Sequence, residues 1–226
     1  MTDREPRPVA IPLDDGESVS GLLVAPASPR ATYVLAHGAG AGMAHPFMAA
    51  AARGLAERGI ATLRFQFPAM ERGSRRVDTP KVAQAAVRGA VAEAARQLPG
   101  AALFAGGKSF GGRMTSQAQA ESPLAGVRGI AFLGFPLHPA GRPATGRAAH
   151  LASVRIPMLF LQGSRDDLAS LPLLEPIVQA LGARATLAVF ADADHSFHVP
   201  ARSAKSDAQV LGEALDALAA WIEANR

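Results

Sequence analysis

The stretch LFAGGKSFGGRM, residues 103–114, decides how the chain is read. It opens on three apolar residues, sets Gly106, Gly107, Gly111 and Gly112 around the lone Ser109, and continues as a helix-compatible run. Side-chain-free positions on both sides mark a turn too tight for a Cβ at the neighbours of that serine. Gly107-Lys108-Ser109-Phe110-Gly111 fits G-x-S-x-G, placed after a strand-like run and before a helical one. In that setting the turn lifts the serine hydroxyl clear of the backbone. The Phe110 amide, at the helix start, then points toward a developing oxyanion with the helix dipole behind it. A structural serine in a crowded turn is the plainer alternative, and the flanking sequence decides between them.

Working outward, short apolar runs alternate with longer helical patterns, as in a mostly parallel sheet covered by helices. SGLLVAP and ATYVLAHG read as early strands, HPFMAAAARGLAERG as a helix stopped by Gly59, and IATLRFQF as the next strand. TPKVAQAAVRGAVAEAARQLPG predicts a helix with Thr79 as N-cap and Pro80 at its first position. VRGIAFLGFPL, IPMLFLQG and ATLAVFADADH follow as strands. The closing helix carries Leu211, Leu215, Leu218 and Ile222 on a face that must pack onto the sheet. The expectation is an α/β fold in a single domain over residues 1–226, with 1–18 as a lead-in. Residues 134–154, rich in Pro, Gly and Ala, are long enough for a short flap but too short for a lid domain, so the site should have a minimal cap or none.

Composition narrows the function. With 226 residues, 49% of them hydrophobic, the chain is large enough to bury a single extensive core. The absence of cysteine excludes disulfides, thiolate metal sites and a cysteine nucleophile, and fits a reducing compartment. No apolar signal-like region opens the sequence, and no uncharged apolar run reaches the roughly 18 residues of a membrane span. A cytoplasmic location and no membrane partner are therefore expected. The net charge of +4 comes from arginine, since lysine occurs only at Lys81, Lys108 and Lys205. These charges are scattered and not interleaved with aromatics, which argues against nucleic acid as a partner. HSFH places two histidines close together without a partner cluster, so neither a metal nor another cofactor is expected.

A serine nucleophile needs a base, and the base needs an orienting carboxylate. FLQGSRDD places Asp166 just past one apolar run, and FADADHSFHVP places His195 just past the next. In a parallel sheet the loops after the strands share one edge, where ligands bind. Ser109, Asp166 and His195 therefore converge without further assumption. Asp166 is preferred to Asp167 as the nearer to its strand, and His195 to His198 because the small Ser196 leaves it freer to reach inward. Asp192 and Asp194 either solvate that loop or help to hold His195. A second oxyanion donor is expected from LAHGAGAGMAHPF, where His37-Gly38-Ala39-Gly40 follows an early strand. The Ala39 amide is the first choice, with Gly38 and Gly40 as neighbours. His37 reads as a structural hydrogen-bonding residue or as part of the substrate side, and His45 as a cap or a substrate-edge residue.

Arg72, Arg75 and Arg76 follow the IATLRFQF strand, and Lys108, Arg142, Arg147 and Arg165 come from other loops on the same edge. They predict an electropositive mouth suited to a carboxylate or phosphate on the substrate, unless the arginines are simply paired with nearby acidic residues. The candidate substrate-binding residues are thus His37, Lys108, Arg72 and Arg76.

Together, LAHGAGAGMAHPFM, RFQFPAMERG, GGKSFGGRM, FLQGSRD and DADHSFHVP resemble the α/β-hydrolase superfamily and, within it, the small dienelactone-hydrolase-like branch. More narrowly they resemble the compact hydrolase-like family related to testis-expressed and NSL-complex-subunit proteins. The resemblance spans roughly residues 20–225. It implies Ser109, Asp166 and His195 as a triad, amides near Ala39 and Phe110 as the oxyanion hole, and a small-molecule ester as substrate. Dienelactone hydrolases themselves carry a cysteine where this chain has Ser109, which shifts the expectation from lactones toward ordinary esters or thioesters. A non-catalytic interaction module on the same fold is the rival reading, and peptidase, haloperoxidase or lyase chemistry has been found on the fold as well.

Overall fold

The structure is a computed structural model that describes residues 5–74 and 76–226. Its centre is an eight-stranded sheet in the order β1-β2-β4-β3-β5-β6-β7-β8. Two strands, β1 (Arg7–Pro12) and β2 (Ser18–Val24), form an antiparallel hairpin at one edge, and β2 pairs antiparallel with β4 (Ile60–Phe65). From β4 onward the sheet is parallel, through β3 (Ala31–Ala36), β5 (Ala102–Lys108), β6 (Val127–Leu133), β7 (Met158–Gly163) and β8 (Ala185–Phe190). The stretch expected as a lead-in thus contains an edge strand. Pro8 and Pro12 disguise it in the sequence, because proline is tolerated in a strand only where no ladder bond is lost.

Both faces are covered. Helices α1 (Pro46–Glu57) and α6 (Asp207–Ala224) pack on one face against Tyr33, Leu35, Ala131, Leu133, Leu159 and Leu161. The other face carries α3 (Pro80–Gln97), α4 (Phe110–Glu121) and α5 (Leu171–Ala180), with the short α2 (Pro68–Glu71) after β4. Alternate residues of β6 and β7 serve the two faces: Ile130, Phe132, Met158 and Phe160 point away from α6, their neighbours toward it. This is why the strands read as unbroken apolar runs.

Local signals behave as the sequence implies, with two adjustments. Thr79 stands at the N-cap of α3 with extended backbone, but its side chain makes no capping bond; Pro80 alone sets the helix start. On α6 the buried stripe is Val210, Ala214, Leu215, Leu218 and Ile222, with Leu211 only partly covered. Its N-terminus is a capping box between Ser206 and Gln209.

Residues 134–154 are buried at their start, over 134–138, and exposed over 139–146. They close with a 3-10 helix, Gly146–Ser153, whose Ala148 and Leu151 are buried with Phe135, Leu137 and Val154 in the core beside α5. Among the described residues no helix is long and apolar enough to cross a membrane.

Candidate active site

The parallel strands all present their carboxyl ends at one rim, and four of the loops there meet around Ser109. The serine leaves β5 and starts α4 with φ +51° and ψ −117°. That conformation is rare for a residue with a Cβ and marks a strained turn. Gly107 and Gly111 make it possible by letting the elbow sit on the end of β3. A Cβ at Gly107 would lie 2.2 Å from the Ala36 carbonyl oxygen, and one at Gly111 2.5 Å from the same atom. The sequence pattern implied a close approach of strand to helix; the tightest approach is to the backbone of the adjacent strand.

Asp166 and His195 are brought together. His195 Nδ1 lies 2.6 Å from Asp166 Oδ2. Asp166 is 5% exposed, and its other oxygen accepts the Leu168 amide at 2.7 Å. Its partner oxygen also accepts from the side-chain amide of Gln162, whose Oε1 takes the Phe135 amide at 2.9 Å. Gln162 is fully buried at the end of β7 and fixes the carboxylate from behind. The sequence reading passed over it; a single amide closing the apolar run IPMLFLQG was the available signal. Asp167, the alternative acid, is exposed.

With the carboxylate on Nδ1, that nitrogen carries the proton and Nε2 presents its lone pair. His195 Nε2 is buried and, like Ser109 Oγ, has no hydrogen-bond partner among the described residues. The two residues abut the same corner. The Ser109 amide reaches the Leu133 carbonyl at 3.4 Å, while a Cβ on the next residue, Gly134, would touch the His195 ring at 3.3 Å. Burial lowers the imidazole pKa below its ordinary value, with the Lys108 charge adding to it and Asp166 and Asp194 opposing. Asp194 holds the loop itself, accepting the amides of Ser196 at 2.7 Å and His198 at 3.0 Å. His198 faces outward and pairs with Asp207 at 2.8 Å.

Across the elbow, the Phe110 and Ala39 amides donate to no group among the described residues. Both residues border a cleft of ≈ 10 Å³ with His37, Phe67, Met70, Arg76, Val77 and Asp78. His37 is buried and structural: Nδ1 lies 2.7 Å from the Gly38 carbonyl, and Nε2 accepts the Phe67 amide at 3.2 Å. Burial lowers its pKa, which suits this neutral tautomer. These bonds fix the loop that carries Ala39, and His37 also lines the cleft beside it. A larger groove of ≈ 700 Å³ lies on the outer side of Asp166 and Asp194, lined by neither Ser109 nor His195.

The expected ring of cations is only partly present. Arg72 reaches Glu17 at 3.6 Å and Asp78 at 3.8 Å, so it is occupied by carboxylates. Arg75 lies outside the described residues. Arg76 is exposed and makes no ion pair among the described residues. Lys108 corrects the expectation most clearly: its side chain turns beneath the rim and donates to the His195 carbonyl oxygen instead of facing the mouth.

A second serine–histidine pair lies on the flank of α4, where Ser116 Oγ is 2.8 Å from His150 Nε2. That hydroxyl also donates to the Arg113 carbonyl at 3.0 Å. Unlike His195, this imidazole has no carboxylate partner among the described residues, and the Arg113 charge lies near it. Among the described residues no cluster of three or more His, Cys, Asp or Glu side chains could hold a metal ion.

Comparison with solved structures agrees with this architecture. A serine hydrolase from Xanthomonas campestris, described as lacking a lid, superimposes with a TM-score of 0.75 at 21% identity, over 96% of this chain and 95% of that one. A dienelactone hydrolase from Anabaena variabilis gives a TM-score of 0.75 at 22% identity, over 98% and 99% of the two chains. A dienelactone hydrolase assigned in Klebsiella pneumoniae gives 0.72 at 19% identity, over 96% and 98%. The chain therefore has the fold of the small dienelactone-hydrolase-like proteins. The family model described as an alpha/beta hydrolase domain matches residues 29–223, and this chain belongs to that family.

Proposed function

We propose that the protein is a serine-dependent hydrolase that cleaves small carboxylic esters or thioesters through an acyl-enzyme. The observation that carries this reading is the Asp166–His195 hydrogen bond of 2.6 Å, which leaves a buried, unpartnered Nε2 beside the strained Ser109. In the first step the Ser109 hydroxyl attacks the carbonyl carbon as its proton passes to His195 Nε2. Asp166 steadies the imidazolium that forms. The carbonyl oxygen becomes an oxyanion between the Phe110 and Ala39 amides, each such donor being worth about 3 kcal/mol in comparable sites. The imidazolium then gives its proton to the leaving alcohol or thiol. Water, deprotonated by the same histidine, releases the acid and restores Ser109.

The cleft beside Ala39 and Phe110, ≈ 10 Å³, has the room of about one water, as an oxyanion-sized niche would. The segment 146–153, anchored through Ala148 and Leu151, and the likeness to a protein described as lidless favour soluble substrates over lipid aggregates. The serine at the elbow separates this chain from cysteine-dependent lactone opening, although its fold neighbours include dienelactone hydrolases. A fluorophosphonate probe tests the reading directly: wild type should be labelled on Ser109, with fluoride displaced, and Ser109→Ala should not. A folded wild type that stays unlabelled, and inert toward an acyl-length panel of esters, would favour the interaction-module reading instead.

A further inference from the structure

The acyl-transfer steps above leave one side chain of the elbow without a role. Lys108, immediately before Ser109, lies against the loops after β3, β6 and β8. A Cβ at Gly38, in the loop that carries Ala39, would meet its Cγ at 3.6 Å, and one at Gly134 would meet Nζ at 3.0 Å. Its ammonium donates to the His195 carbonyl and lies 5.8 Å from the Phe47 ring and 5.7 Å from the Phe197 ring, within cation–π range. The two rings stack with centroids 6.0 Å apart. Phe197 is 2% exposed and holds φ +62°, a backbone that a bulky residue adopts only when its surroundings compel it. The turn after His195 thus accepts strain to bring an aromatic face to the lysine. Among the described residues no carboxylate lies within ion-pair distance of Nζ. Withdrawing a half-buried ammonium from water to a carbonyl and two rings is costly.

Resting on the serine-hydrolase reading, we propose that Lys108 is the positioning residue for the catalytic base: its ammonium clamps the His195 main chain to the nucleophile elbow, so that imidazole and hydroxyl move as one unit. Loss of the clamp frees residues 194–198 to drift, and a displacement of about 1 Å at a reacting group costs up to about 100-fold in rate. The charge has a second effect, on the proton affinity of the imidazole. The titratable groups facing Lys108 are Asp166 from the β7 loop and Asp194 and His195 from the β8 loop; α1 and the loops after β3 and β6 offer Phe47, Gly38 and Gly134. Burial brings the lysine down to about 8, against the pull of the two aspartates. Below that pH the ammonium is intact and disfavours protonation of His195. Above it the grip weakens, which places an alkaline fall in rate near pH 8.

The test is Lys108→Met, which keeps the stem and deletes the charge and the donor. Three readouts are needed: steady-state kinetics across pH, the rate of fluorophosphonate labelling, and a 15N-edited NMR titration of His195 assigned with His195→Gln. Expected are a kcat loss of about 10- to 100-fold with KM held within about 3-fold. The His195 midpoint should rise, and the alkaline limb near pH 8 should vanish. A kcat within twofold of wild type, or an unmoved His195 midpoint together with a persisting alkaline limb, overturns the proposal. Should the variant fail to fold, wild type decides: the NMR transition of Lys108 Nζ must be mirrored at His195, and its absence there overturns the clamp. An unlabelled Ser109 in wild type counts against the hydrolase reading alone, because the titration is read without turnover.

Discussion

Two serine–histidine neighbourhoods share helix α4, one at its N-cap and one on its second turn, and they are built in opposite ways. Ser116 and His150 have a hydrogen bond of 2.8 Å, the feature usually sought in a hydrolase, whereas Ser109 and His195 have none between them. Yet Ser116 sits fully buried in a regular helix, its hydroxyl also 3.0 Å from the Arg113 carbonyl, and faces an imidazole with no carboxylate behind it among the described residues. Ser109 stands on a strained turn beside two unoccupied amides, and His195 is held in one tautomer by Asp166, itself fixed by Gln162 and the Leu168 amide. The two pairs are therefore told apart by the carboxylate behind the histidine, the backbone strain at the serine and the free amides beside it, not by the serine–histidine bond. The Ser116–His150 pair pins the 3-10 segment to α4.

The sharpest way to break this contrast is to exchange each serine for alanine. Ser109→Ala should cost on the order of 10⁵–10⁶ in kcat for a small activated ester, while Ser116→Ala stays within about twofold. An equal loss in the two variants would erase the distinction. Next in size is the carboxylate: Asp166→Asn should lower kcat by about 10⁴, because the amide favours the wrong histidine tautomer. Asp167→Asn, on the exposed neighbour, should leave kcat unchanged in the same assay.

The two histidines differ in what their titration controls. Burial, with the Arg113 charge second, brings His150 down to about 4. Its folded pKa lies below the unfolded value of about 6.5, so the unfolded chain binds more protons between those limits. Stability from this site is fully present above that window and is lost as pH falls through it. His150→Gln should flatten the pH dependence of the denaturation midpoint between pH 7 and 5 without moving the acid limb of kcat/KM. That limb belongs to His195 and should fall below the ordinary histidine value. The smallest expected effect is at the rim: Arg76→Ala should raise KM about 2- to 5-fold for carboxylated esters and leave neutral esters alone, at low salt. A salt-independent result for both ester types would remove the residual electropositive mouth.

Much of this was readable from residue order. The elbow motif sits between a strand and a helix, Asp166 and His195 each follow an apolar run, and a parallel sheet sends all three to one edge. What escaped was set by tertiary direction. Lys108 looks like a rim cation because nothing in the local sequence says that its side chain lies against Gly38 and Gly134 and bonds the His195 carbonyl. Arg72 is spent on Glu17 and Asp78, partners distant in the chain or on the far side of a turn. The edge strand Arg7–Pro12 was hidden by its prolines, and its residues are mostly exposed, so alternation was faint. The short α2 and the proline-bearing α5 likewise give little periodic signal.

The backbone of Ser109 carries one last implication. At φ +51° a Cβ is a burden that glycine would not bear, and such conformations cost about 1–3 kcal/mol. Ser109→Gly should melt no lower than the parent protein and, after an unfolded-state penalty of about 0.5–1 kcal/mol, somewhat higher. Under the serine-hydrolase reading, the hydroxyl at the elbow is thus held at a cost in backbone ease that a glycine there would avoid.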